Sequence, residues 1–110
     1  GEKVMLLGCH DLNIFNNRNM KNTNAWRKNI KIDFRNLSKK FMPDIVLQHP
    51  HTTDTSKTWT SGISGLQKTL PNLENFASAG RFFREGGTRY LIHSVLDKTR
   101  IGITYDVIIR

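Results

Sequence analysis

A chain of 110 residues is the size of one small domain, with room for a single hydrophobic core and not for two. Its hydrophobic content is 37% and its apolar runs last only a few residues, which excludes a helical membrane span of about 20 apolar residues. Seventeen Lys and Arg against nine Asp and Glu give a net charge of +8. That balance disfavours a cationic ligand and points to an anionic small molecule or a nucleic acid.

The single cysteine, Cys9, excludes an internal disulfide framework and a multi-cysteine zinc site, so a reducing, cytoplasmic location is expected. Gly1-Glu2-Lys3 leads straight into a strand-like run and does not read as a signal peptide. Gly1 in place of an initiator Met raises the expectation of a piece cut from a longer protein.

Residues 3–8 are apolar and β-compatible, and polarity rises abruptly at Cys9-His10-Asp11. A short continuous apolar run of this kind reads as a buried strand of a parallel sheet. Residues 16–24, rich in Asn and charge, have no periodicity and read as a loop. Trp26, Ile30, Phe34, Leu37 and Phe41 then recur at helical spacing, with Thr23 or Asn24 placed to cap the helix and Pro43 to stop it. Residues 44–48 form a second apolar run, again breaking into polar residues at His49-Pro50-His51-Thr52-Thr53-Asp54.

Trp59, Ile63, Leu66 and Leu70 mark a second helix that ends at Pro71. Gly62 and Gly65 inside it each weaken it by about 1 kcal/mol against Ala, and they suit close packing on the sheet. Residues 75–79 read as a third strand. Gly86-Gly87 suits either a tight hairpin or a loop. A helix over residues 91–98, with Ile92, Val95 and Leu96 on one face, and a fourth strand over residues 101–109 complete the reading.

Strands alternating with helices make a parallel sheet, because each crossover returns the chain to the same end. The expected architecture is therefore one α/β domain spanning residues 1–110. It is a Rossmann-like three-layer sandwich with a small, mainly parallel sheet of about four strands.

Ligands of such sheets bind outside the carboxyl ends of the strands. His10, His49 and His51 all fall just after predicted strands, together with Asp11, Asn13, Thr52, Thr53 and Asp54. If the second strand continues through Pro50, His49 and His51 share a side and can share a metal with Asp54; this donor set suits zinc or manganese. The motif is reminiscent of several metallohydrolases, but Thr53 stands where the metallo-β-lactamase arrangement would want aspartate. The plainer reading is that Pro50 breaks the strand and Asp54 caps the next helix.

His10, Asp11 and His49 are the candidate acid and base groups, since histidine titrates near neutral pH and a carboxylate can orient it. Equally, Asp11 and Asn13 suit a turn whose backbone they hydrogen-bond. Asn13, Thr52, Thr53, Ser78 and Arg81 are candidate substrate contacts, Arg81 through its fork of donors beside Gly80. Walker and dinucleotide glycine patterns are absent, as is the Gly-x-Ser-x-Gly elbow around Ser78. Arg27, Lys31, Arg35 and Lys39 make a basic stripe on the first helix, suited to phosphate contact or to solvation alone.

These features point first to a hydrolase-like domain acting on a phosphate-containing or nucleotide-type substrate. The alternatives are a non-catalytic nucleotide- or nucleic-acid-binding module, or a fragment of a larger α/β enzyme.

Overall fold

The computed structural model describes residues 1–8, 10–49 and 56–78. Three short strands, β1 (Val4–Leu7), β2 (Ile45–Gln48) and β3 (Asn75–Ser78), form a parallel sheet in the order β1-β2-β3. Helix α1 (Ala25–Phe41) connects the first pair and α2 (Ser56–Thr69) the second. Two 3-10 turns, Asp11–Phe15 and Asn17–Asn19, follow β1 where the sequence suggests only turn and loop. The expected fourth strand and the 91–98 helix lie outside the described residues.

The register sets Val4, Met5, Leu6 and Leu7 against Ile45, Val46, Leu47 and Gln48. These β2 residues in turn face Asn75, Phe76, Ala77 and Ser78. Alternation divides the sheet into two faces. Met5, Leu7 and Val46 are buried in the core with Leu12 and Phe15 of the first 3-10 turn, Trp59, Ile63 and Leu66 of α2, and Leu70 and Leu73 beyond it. Val4, Leu6 and Leu47 point the other way and are exposed, Leu6 by 73%. The continuous apolar runs therefore do not mean, among the described residues, strands buried on both faces.

The two glycines of α2 serve a packing role, though not against the sheet. A Cβ on Gly65 would lie inside the van der Waals envelope of the Phe15 carbonyl oxygen and 2.7 Å from its carbonyl carbon. A Cβ on Gly62 would meet Leu12 Cγ at 2.8 Å and the Leu12 carbonyl oxygen at 3.3 Å. The 3-10 turn thus lies directly on the glycine stripe of α2. That approach drives Phe15 to complete burial and puts Leu12 into the same core. Burying a side chain of this size contributes about 1.5–3 kcal/mol, more than the helix propensity that each glycine forfeits.

Helix α1 is turned differently from its sequence stripe. Only Phe34 packs against the core, edge-on to Phe15 with ring centroids 6.1 Å apart. Trp26, Ile30, Leu37 and Phe41 are exposed, while Ser38 is buried and donates to the Phe34 carbonyl. Roughly a quarter turn separates the apolar stripe from the face that meets the domain. On the face that meets the domain, Arg35 Nε donates to the Ile14 carbonyl and Nη1 to Asn17 Oδ1, both at 2.7 Å. Asn24 takes the N-cap backbone geometry, yet its side chain makes no capping bond. Met42 ends the helix in the left-handed conformation at φ 50°, its N–H donating to the Ser38 carbonyl.

Gly65→Ala is expected to cost about 3 kcal/mol or more in urea denaturation, because backbone cannot yield as a side-chain tip can. Gly62→Ala, which meets mainly a side chain, should cost nearer 1 kcal/mol. Equal or negligible losses would show that the turn does not depend on the two glycines. Met42→Gly, which relieves a left-handed non-glycine residue, should raise unfolding stability by about 1 kcal/mol in the same assay.

Candidate functional site

Parallel strands deliver their carboxyl ends to one edge, so residues far apart in sequence become neighbours there. Leu7 is level with Gln48 and Gln48 with Ser78. The N–H of His49 donates to the Leu7 carbonyl at 2.9 Å, extending the pairing one residue past β2. His10 begins the 3-10 turn just beyond β1, and its carbonyl accepts from the Asn13 N–H at 3.0 Å. The strand ends thus put His10, Asp11, His49 and Ser78 at one end of the sheet, and Asn13 follows within the 3-10 turn. His51, Thr52, Thr53, Asp54 and Arg81 lie outside the described residues, and so does Cys9.

Asp11 has a definite partner. Its Oδ2 accepts the Gly8 N–H at 2.6 Å, and its own N–H donates to the Gly8 carbonyl at 3.3 Å. The reciprocal pair closes the chain reversal at the end of β1. Asp11 therefore acts as a turn residue, the plainer of its two sequence readings. Asn13 likewise serves the turn through its carbonyl, which accepts from the Asn16 N–H at 3.2 Å. His10 and His49 are exposed at this edge.

Gln48 is the residue that sequence reasoning passed over. It is buried on the covered face at the end of the central strand, and its Oε1 accepts from the Ser78 hydroxyl at 3.2 Å. A polar residue two positions after Val46 must face the same way as Val46, and that alternation was the available signal. Ser78 is thus oriented by Gln48, at the sheet end where a substrate contact was expected.

The basic stripe of α1 is less free than its spacing suggests. Arg35 is committed to the turn segment, and its buried Nη2 has no hydrogen-bond partner among the described residues. Burial lowers the Arg35 pKa from its ordinary value. Lys31 is also lowered, first by burial and then by the like charges of Arg35 and Arg27 one turn to either side. Arg27 lies over its neighbour Trp26 at 5.3 Å. Among the described residues, no group of three or more His, Cys, Asp and Glu side chains is placed to hold a metal ion.

Together these observations define the class: an α/β domain built on a parallel sheet, with a polar edge at its strand carboxyl ends. No helix among the described residues is long and apolar enough to cross a membrane. Searches against protein-family models, curated proteins and solved structures find no match to this chain.

Removing the Asp11 carboxylate leaves the Gly8 N–H without its partner. Asp11→Ala is therefore expected to lower unfolding stability by about 1 kcal/mol, with Asp11→Asn recovering most of the loss. An unchanged denaturation midpoint in Asp11→Ala would show that the turn closes without it.

Proposed function

We propose that the chain is a hydrolase-like α/β domain acting on a phosphate-containing or nucleotide-type substrate at the carboxyl ends of its strands. The observation that carries this reading is the pairing of β1 with β2, which sets His10 and His49 at the ends of adjacent parallel strands. Two imidazoles at one edge can serve as a base and an acid. One takes a proton from water as its oxygen attacks phosphorus. The ester P–O bond breaks, and the other imidazole, protonated, gives its proton to the departing oxygen.

In this reading Asp11 positions the β1 turn, and Ser78, Asn13, Thr52, Thr53 and Arg81 contact the substrate. Where His49 serves instead as a metal ligand with His51 and Asp54, the residue types would suit zinc or manganese, and His10 is left as the proton-transferring imidazole. The net charge of +8 supports an anionic substrate, and a single cysteine suits a cytoplasmic setting. The complete fold of the proposal is a Rossmann-like three-layer sandwich with about four strands.

The test is metal analysis together with turnover of p-nitrophenyl phosphate and ATP, for the wild type and for His49→Ala, His51→Ala and His10→Ala. The proposal expects one zinc or manganese per chain, lost in His49→Ala and His51→Ala. Turnover should fall at least 100-fold in each histidine variant while thermal unfolding stays unchanged. A wild-type protein that binds neither metal nor nucleotide and turns over neither substrate would sink it.

A further inference from the structure

Helix α1 carries an apolar stripe that the described core does not use. Trp26, Ile30, Leu37 and Phe41 are 59%, 51%, 64% and 45% exposed. Their spacings of four, seven and four residues follow the steps of a heptad seam. At 3.6 residues per turn they fall within about 60° of arc and run for about 22 Å along the helix. The stripe lies to one side of the face, marked by Phe34, Arg35 and Ser38, that meets the domain. A contiguous apolar surface with a polar rim marks an interaction site.

The rim of this one is positive. The Arg27 guanidinium lies 5.3 Å from the centroid of the Trp26 ring, and Lys3 Nζ lies 6.0 Å from that of Phe41. Arg27 and Lys40 project about 40° outside the stripe, one on each side. All three cations are exposed. Asp33 is the one acid of α1, against six basic side chains.

We propose that α1 is a docking surface for an acidic amphipathic helix of a partner protein. An apolar seam on the partner packs along Trp26, Ile30, Leu37 and Phe41, and carboxylates beside that seam meet Arg27, Lys40 and Lys3. Arg35, committed to the 3-10 turns, takes no part.

Charge and width select this occupant. A second copy would set two such helices side by side, each with its excess of positive charge, and like charges across an interface repel. A bilayer surface takes a helix by a broad apolar face, whereas this stripe has the width of a helix–helix seam. Asp33 also sits about 20° from Trp26, where lipid would have to bury it and a narrow helix partner leaves it at the margin. Helices recognised in a groove or seam present apolar anchors at such steps, and the flanking charges choose partner and register.

The inference is separate from the strand-end site, so its test uses neither metal nor phosphate. The probes are two three-heptad peptides with leucine seams, one flanked by glutamate and the other by lysine. Trp59 is buried, so a change in tryptophan emission on binding reports on Trp26. The glutamate peptide should shift the emission to shorter wavelength and bind at least tenfold more tightly than the lysine peptide. That advantage should shrink as salt rises from about 50 to 500 mM. Leu37→Glu should weaken its binding at least tenfold with thermal unfolding unchanged. Arg27→Glu with Lys40→Glu should turn the preference toward the lysine peptide. Equal affinity for both peptides, or none for either, would overturn the proposal. Self-association in sedimentation equilibrium that Leu37→Glu abolishes would overturn it in favour of a second copy. Binding to phosphatidylserine vesicles without binding to the glutamate peptide would overturn it in favour of a membrane. Trp26 emission already shielded from iodide in the chain alone would show instead that the stripe is covered from within.

Discussion

The approach of the Asp11–Phe15 turn to the Gly62 and Gly65 side of α2 is the contact that organises the rest of the molecule. Because no side chain intervenes, the turn lies close enough for Phe15 to be fully buried and for Leu12 to join the residues of α2 and the sheet. Phe15 then offers its ring to Phe34, and the Ile14 carbonyl offers itself to Arg35, so the same short turn also decides how α1 sits. Asp11 anchors its other end to Gly8. The segment that leaves the sheet at the candidate site is thus a packed part of the core.

Charge and hydrophobicity point to different faces of α1, and the face that meets the domain carries Arg35 and its hydrogen bonds. A guanidinium donating to a backbone carbonyl and to Asn17 ties the Arg35 side of the helix to the packed turn. With that face inward, Trp26, Ile30, Leu37 and Phe41 lie away from the described core. It also draws Lys31 into a half-buried place between two arginines, where burial and like charge both disfavour its protonated form. The regular basic spacing therefore does not amount to a uniform phosphate-binding surface. Arg35 is already engaged, and neutralising it would disturb the turn as well as any ligand.

What was legible in the sequence was the order of elements and the end of the sheet at which polar residues gather. Short apolar runs broken by polar residues mark β1, β2 and β3, because a strand's length is bounded by the width of the core it crosses. Helix α1 was legible in extent but not in orientation: a 3.6-residue period locates a stripe, whereas Arg35's partners lie some twenty positions earlier in the chain. The 3-10 turns escaped because Leu12 and Phe15 are too few to establish a period. Their clue was indirect, in the paired glycines of α2, which require some backbone to come close without saying which. That His10 and His49 lie at the same end of the sheet follows from strand parallelism alone. The engagement of Asp11 by Gly8 and of Ser78 by Gln48 depends on local geometry that spacing does not encode.

The sheet's asymmetry bears on where a ligand can reach. All three described strands advance in one direction across the sheet, so consecutive strand ends among them send their chains to the same face and leave no divergence between them. In an open α/β sheet the crevice forms where neighbouring strands send their chains to opposite faces. Among the described strands no such point occurs, and the polar groups sit at the strand ends themselves, where Gly8, His10 and Asp11 make the turn beyond β1. His49 lies one strand further in, just past β2, and Ser78, held by Gln48, ends β3. The Gly8–Asp11 turn, closed by the Asp11 carboxylate, holds the first of these strand ends in place.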